Sequence, residues 1–355
     1  MRGQITYDYL KGLGFSQIDV TGCPSLALNG PGLPLREKQP LTPESKLCFT
    51  GSVSNPPDFK KFAVRCTERF PNTYFVPQFI DDLRLMYLGI PHPDTADSRV
   101  LHPTNLDHPV FVEDKARFFI NLPSMFAFNR EMDFNYGTRI HGAIGNILCG
   151  VPSLLFPTDA RIRELAEYHN IPAIPASAVT PDTDLAALYD QTDFRQVNNG
   201  HAERFWHLID FLNENGIKTI YDDRTGTPAR SLYDEKTAAT SYAQPVHSML
   251  VRPPEEIARR VDTAVRLQRK EIEDDSRLAT QLRDSQRKVT QLQERNKKQA
   301  AQIQALKEER KALKTELKAT KKPLRRLAWY QRTSTFGIGL ARLKKKLRRL
   351  LGKEK

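Results

Sequence analysis

Between Gly137 and Gly150 the chain carries Ile140, Ile144, Ile147 and Leu148 at helical spacing, and the two glycines fix what can stand on either side. Met132 to Asn135 (Met-Asp-Phe-Asn) reads as the end of a short buried strand, and Gly137 permits a tight turn into the helix. Gly150 stops that helix, and Val151-Pro152-Ser153-Leu154-Leu155-Phe156 opens a new strand. A strand, a turn, a helix and a strand in so short a span make a βαβ unit with parallel strands, and ligands of such sheets sit at the carboxyl ends of the strands. Arg139 and His141 fall at that end, at the mouth of the helix. Free N–H groups and the helix dipole favour an anion there, and a guanidinium matches carboxylate or phosphate. The same placement also fits a surface-capping Arg139 and a satisfied interior His141.

The alternation extends along most of the chain. Strand patterns at Lys46 to Val53 (ending in Gly51-Ser52), Thr73 to Phe79, Pro152 to Phe156 and Ala173 to Ile174 are interleaved with helical patterns at Asp58 to Phe70, Ile80 to Leu88, Ala160 to His169 and Leu185 to Tyr189. Asp114 to Asn129 reads as a longer amphipathic segment. Val197 to Gly216, with Phe205, Leu208, Phe211 and Leu212, reads as the helix that closes the domain. The pattern predicts a parallel sheet with helices on both faces. From Ile217 to Pro253, prolines and short apolar stubs predict a linker ending at Pro253-Pro254.

A hydrophobic content of 39% and a mean hydropathy of -0.53 are low for a wholly globular chain of 355 residues. The excess polarity lies beyond the linker. Leu282, Val289, Asn296, Ile303, Arg310 and Leu317 occupy one position of a seven-residue repeat, and Ser285, Leu292, Gln299, Leu306 and Leu313 occupy the other. This predicts a coiled coil, and Asn296 favours a parallel two-stranded register, hence a homodimer. From Lys321 to Lys355 there are thirteen Lys and Arg against Glu354, so the first 320 residues carry 41 basic and 41 acidic groups and the whole net charge of +12 belongs to the tail. There Leu340, Leu343, Leu347, Leu350 and Leu351 share one helical face, with Arg342, Lys344, Lys345, Lys346, Arg348 and Arg349 around the other. Basic runs also neutralise nucleic-acid phosphates, but the leucine face and the Trp329-Tyr330 pair favour an anionic membrane surface. Dimerisation would present two such tails. Cys23, Cys48, Cys66 and Cys149 show neither pairing nor metal spacing, and they read as core thiols of a reducing compartment.

The run Gly137-Thr138-Arg139-Ile140-His141-Gly142, followed by Gly150-Val151-Pro152 and by Asp159-Ala160-Arg161, resembles the C-terminal signature of the polysaccharide pyruvyl transferase family. Near the start, Arg2-Gly3, Thr6, Leu10 and Gly14, then Thr21-Gly22-Cys23-Pro24-Ser25-Leu26, are similar to the family's arginine-glycine segment and glycine-x-proline turn. The resemblance covers about the first 175 residues, with two motifs in the family's order. It implies an α/β fold with a GT-B-like, Rossmann-type parallel sheet and an incomplete first lobe. The expected organisation is a first-lobe remnant over 1–45, a pyruvyl-transferase-like domain over 46–216, the linker over 217–253, the coiled coil over 254–320 and the basic tail over 321–355. The family carries further chain ahead of the arginine-glycine segment, including a glycine-rich loop, and Met1 stands where it commonly has valine. The expectation is a GTG codon taken as the start.

The activity implied by the resemblance is transfer of pyruvate from phosphoenolpyruvate to a pair of sugar hydroxyls as a ketal. Arg139 and His141 would be its catalytic residues, and Arg2, Arg139, His141, Gly142, Asp159 and Arg161 its substrate ligands. Asp159 and Arg161 equally fit a helix N-cap and a surface arginine. Phosphoenolpyruvate carries a carboxylate and a phosphate, so its site needs cations and a proton donor for the enol, a role open to His141. No metal or cofactor is expected beyond phosphoenolpyruvate as donor. The acceptor would be a glycan or lipid-linked saccharide of cell-surface polysaccharide synthesis, met on the cytoplasmic face of the membrane; nucleic acid is not an expected partner. The other readings are a catalytically impaired dimeric membrane scaffold and a nucleotide-sugar glycosyltransferase. His169 and Asp133 are near in sequence and receive no role.

Overall fold

Strands covered on both faces need side chains that can be buried on both, and four short runs meet that demand. The computed structural model describes residues 1–92, 102–224, 232–333 and 335–350. In it β1 (Leu47–Thr50), β2 (Thr73–Phe75), β3 (Phe134–Gly137) and β4 (Ser153–Leu155) form one parallel sheet in the order β2-β1-β3-β4. Cys48 is in register with Asn135, and Tyr136 with Leu154. Helix α1 (Gln4–Gly12) precedes the sheet, and α2 (Pro57–Arg69) joins β1 to β2. Among the described residues, α3 (Ile80–Leu88), α4 (Pro109–Val112) and α5 (Leu122–Asn129) lie between β2 and β3, and α6 (Ile140–Leu148) joins β3 to β4. Beyond β4 come α7 (Ala160–Tyr168), α8 (Leu185–Gln191), α9 (His201–Glu214), α10 (Leu232–Thr237), α11 (Pro254–Thr333) and α12 (Thr335–Leu350).

Alternation along the strands gives the sheet two unlike faces. Leu47, Phe49, Phe134, Tyr136 and Leu154 meet Phe59, Phe62, Phe156, Tyr189 and Phe194 in an aromatic core. The Phe59 and Phe156 ring centroids are 5.1 Å apart, and those of Phe134 and Tyr189 4.8 Å. The opposite face shows small or polar residues, among them Cys48, Thr50, Asn135, Gly137 and Ser153, all buried. Small side chains let α6 come close, since a Cβ on Gly142 would lie 2.6 Å from Thr50 Cγ2; within the sheet, a Cβ on Gly137 of β3 would lie only 2.2 Å from the Thr50 carbonyl oxygen. Apolar residues of α6 and α7 then close a second core around Leu155.

Residues 1–45, expected as the remnant of a separate lobe, are laid against this unit. Gly3 presses on the side chain of Glu164 of α7, and the Thr6 hydroxyl donates to the same carboxylate at 2.8 Å. Cys23 and Leu26 are buried in the core that α6 helps to form. Further on, Arg36 donates to the carbonyls of Gly150, Arg130 and Met132, while Lys38 donates to those of Tyr189, Asp190 and Thr192.

Some elements differ from the sequence expectation. Asp114 to Asn129 is not one amphipathic helix. Asp114 adopts a positive φ of 53° and is gripped by Arg117, and the next residues extend to bridge Phe75 with Ala116 and Phe118 with Val246. Only at Asn121, whose side chain accepts from Ser124 N–H, does α5 begin. Ala173 makes a single bridge to Leu155 instead of a strand. The closing helix starts at His201, after Gly200 at φ 69°. The stretch 217–253, read as a linker, is fastened down where it is described: Tyr221 packs on Phe205, Val246 pairs with Phe118, and Ser248 and Met249 are buried.

The chain divides into two compact units, Met1–Gln268 and Arg269–Lys355. The first includes the opening turns of α11, where Arg260 stacks on the Tyr87 ring at 4.1 Å and pairs with Glu256. The second is helical throughout its described residues, with Pro323 inside α11. The apolar heptad positions of α11 are exposed, and so are Leu340, Leu343 and Leu347 of α12. Leu351 to Lys355 lie outside the described residues. Among the described residues, no helix is long and apolar enough to cross a membrane.

A Gly137→Ala substitution tests the close approach of β3 to β1 just before α6, because its methyl group meets the Thr50 backbone, which cannot move as a side chain can, at a φ of 154°. It should lower the unfolding free energy by at least about 2 kcal/mol in urea denaturation followed by circular dichroism.

Candidate functional site

The sheet order creates a crevice. The chain leaves β1 towards β2 on one side and leaves β3 towards β4 on the other, so β1 and β3 flank a topological switch point, where open parallel sheets bind ligands. Two loops meet there: Thr138 N–H donates to the Thr50 carbonyl at 2.9 Å, and the Thr138 hydroxyl donates to Asn55 Oδ1 at 2.7 Å. Arg139 is the N-cap of α6 in extended conformation, and among the described residues no side-chain cap bonds to this helix start. Its first N–H groups and dipole therefore face the crevice.

Arg139 is stacked on the Phe79 ring, 4.2 Å from its centroid. Burial pulls its pKa down and Arg161 adds to the effect, while Asp82 and Asp159 oppose it. Beside it lies a group that sequence reading missed. Asp82, at the third position of α3, is buried and accepts the Phe79 N–H at 3.4 Å. Desolvation pushes its carboxyl up to about 7, with Asp81 adding to the rise and the Phe79 N–H and Arg139 resisting it. A carboxyl held near neutrality beside an arginine suits proton transfer. The acidic pair Asp81-Asp82 at a helix start was the available signal, but it reads as ordinary dipole compensation.

His141 turns to different neighbours. Its Nε2 lies 3.9 Å from Cys23 Sγ. Burial opposes ionisation of Cys23, but hydrogen bonds with His141 and with the side chain and backbone of Ser25 prevail and bring the thiol down to about 7. The other cysteines are shifted upwards by burial, Cys48 to about 12. Cys23 N–H donates to His169 Nε2 at 2.8 Å, and burial lowers the His169 pKa to about 3, keeping it a neutral acceptor. Gly22 makes this approach feasible, since a Cβ there would lie 2.4 Å from His169 Nε2 and from the Tyr168 ring. The glycine-cysteine-proline turn and the arginine-x-histidine run, far apart in sequence, thus meet through Cys23 and His141.

The remaining candidates are spread around this centre. Gly142 is buried against Thr50. Asp159 is the N-cap of α7, its Oδ1 accepting Ile162 N–H at 2.7 Å, and Arg161 is exposed in the first turn of the same helix. Arg2 is exposed next to Gly3, on the side where the first residues pack on α7. Asp133 accepts the Lys46 N–H at 2.7 Å just ahead of β1, at the amino end of the sheet. Among the described residues, no cluster of His, Cys, Asp and Glu could hold a metal ion.

No protein-family model matches the chain, and no curated protein matches it. Among solved structures it is similar to a glycotransferase of kitacinnamycin, at 19% identity over 51% of this chain and 42% of that one, with a TM-score of 0.26. It is also similar to the glycosyltransferase SnogD from Streptomyces nogalater, at 15% identity over 57% of this chain and 58% of that one, with a TM-score of 0.26. The match thus spans about half the length of each of these proteins. What stands is a mixed α/β chain with a small parallel sheet and a long C-terminal helix.

Asp82 gives the site a pH signature. Its carboxyl titrates at 3.8 when free and at about 7 when folded. Between these values the folded chain keeps a proton that the unfolded chain has released, so stability falls as pH rises from 3.8 to about 7, by about 4 kcal/mol. Asp82→Asn keeps an oxygen for the Phe79 N–H and removes the titration. Urea midpoints measured from pH 4 to 8 should fall less steeply in the variant, and the variant should be the more stable at pH 8; equal slopes would exclude Asp82.

Proposed function

We propose that the chain is a transferase of glycan biosynthesis that moves pyruvate from phosphoenolpyruvate to two hydroxyls of a saccharide, forming a ketal and releasing phosphate. The observation that carries this reading is the placement of two unlike groups at one uncapped helix mouth: Arg139, with no ion pair among the described residues, and the Cys23–His141 pair. An anion held by the α6 N–H groups and Arg139 would lie within one helical turn of a proton donor. Protonation of the enol carbon C3 makes C2 electrophilic, a hydroxyl adds there, the bond from C2 to the phosphate oxygen breaks, and the second hydroxyl closes the ketal. One hydroxyl proton balances the proton given to C3, and the other leaves with phosphate. His141 would give the proton, Cys23 would share it, and Asp82 would set the charge around Arg139. Arg161 and Arg2 would serve as outer anion ligands.

Phosphate release from phosphoenolpyruvate in the presence of a saccharide acceptor tests the reading. Arg139→Ala should raise KM for phosphoenolpyruvate by about 30-fold or more, the loss of a charge-assisted pair. His141→Ala should lower kcat by about 100-fold or more. Binding of nucleotide sugars in place of phosphoenolpyruvate would favour a glycosyltransferase, and binding of neither would favour a scaffold.

The same reading includes self-association and a membrane address. Leu282, Val289, Leu292, Ile303, Leu306, Leu313 and Leu317 stand exposed along α11 at the core positions of the repeat. In a parallel, in-register pair, Glu309 and Glu316 of one copy face Lys314 and Lys321 of the other, and Asn296 meets Asn296. The exposed leucines and basic residues of α12 suit the inner, anionic face of a cell membrane. Sedimentation equilibrium should find a dimer of the full chain, weakened by about 100-fold or more in the double variant Leu292→Asp, Leu306→Asp. A wild-type monomer would exclude this arrangement.

A further inference from the structure

The first compact unit contains a cavity of about 670 Å³, in the size range of small-molecule sites. Met125 and Phe126 of α5, Ile144 of α6, and Leu208 and Ile209 of α9 form much of its wall. Its polar lining side chains are Ser25, Gln78 and His141, with Thr219 and Tyr221. The first three belong to the candidate site: His141 and Ser25 both bond to Cys23, and Gln78 precedes Phe79, on which Arg139 stacks. Leu28 and Leu122 line the same cavity, yet they are 55% and 54% exposed. Apolar side chains left in water beside an apolar hollow gain free energy from an occupant that covers them.

We infer that this cavity receives the apolar chain of an amphiphilic acceptor, whose saccharide end lies at Ser25, Gln78 and His141. The identity of the saccharide head rests on the proposed transfer reaction, whereas the apolar chain rests on the cavity. A free sugar would satisfy the polar end and leave the aliphatic and aromatic wall wet. An alkyl or prenyl glycoside satisfies both, and its hydroxyls arrive beside His141, where the transfer needs them.

The chain has two tryptophans, so Trp329→Phe leaves Trp206 as reporter; its neighbour Phe205, 4.9 Å away between ring centroids, lines the cavity. The probe is a bromododecyl maltoside below its micelle concentration, added to the full-length Trp329→Phe protein. Saturable quenching of Trp206 is expected, with affinity rising about three- to fourfold per methylene across shorter and longer chains. Maltose, which reaches only the polar end, should compete only at far higher concentration. Adding Leu28→Arg and Leu122→Arg, both at exposed positions, should weaken binding at least tenfold while the circular dichroism spectrum is unchanged. Absence of saturable quenching, indifference to chain length, or indifference to the two arginines would each overturn the inference. Phosphoenolpyruvate takes no part in this measurement, so its outcome is separate from that of phosphate release: binding without turnover would sink the transfer reaction and keep the cavity.

Discussion

The close approach of α6 to the strands beneath it governs the rest of the structure. Gly142 brings the helix so near β1 that Thr50 occupies the space where it would carry a side chain, and Gly137, at the end of β3, lets the strand that leads into the helix lie as close to Thr50. That proximity has a chemical result. The helix mouth is set at the crevice between β1 and β3, Arg139 reaches Phe79 on one side, and His141 reaches Cys23 on the other. A helix riding an ångström or two higher would still cover the sheet, but it would separate these contacts.

The elements most legible in the sequence were those whose signals are local. The glycine-bounded run from Met132 to Phe156 yields β3, α6 and β4, because turn chemistry and helical spacing agree over the whole span. The stretch from Asp114 to Asn129 misled for the opposite reason. Its apolar residues fit a helix, but the bridges to Phe75 and Val246 draw Ala116 and Phe118 into extended pairing that no local pattern announces. Burial of Asp82 and the meeting of Cys23 with His141 are likewise products of tertiary packing. A sequence reading could place Arg139 and His141 at one helix mouth, but it could not tell that their side chains would part.

Two comparably buried groups near the helix mouth are tuned by unequal hydrogen bonding. Cys23 and Asp82 are both enclosed, yet hydrogen bonds from His141 and Ser25 lower the thiol while desolvation raises the carboxyl, so both arrive near neutrality from opposite directions. Two groups with matched proton affinity on either side of a cationic helix mouth are better suited to moving protons than either would be alone. The charge of the chain is divided in a comparable way, since the first 320 residues are balanced and the excess lies in the tail.

The anchorage of the first residues has a consequence for how the molecule meets acid and salt. Arg36 and Lys38 hold the segment down by donating to main-chain carbonyls, which do not titrate and are neutral. A strap fixed to carboxylates would loosen as those groups took up protons, and mobile ions would compete for its partners. The part of the strap held by Arg36 and Lys38 keeps its partners under both conditions; the part held by Thr6 is bonded to the Glu164 carboxylate instead. Because the grip is on the main chain, the side chains of Asp190 and Thr192 can change without removing its acceptors, whereas Gly150 and Tyr189 are tied to the strap itself: a Cβ on Gly150 would lie 2.6 Å from the Pro34 carbonyl oxygen, and the Tyr189 hydroxyl donates to that of Gln39.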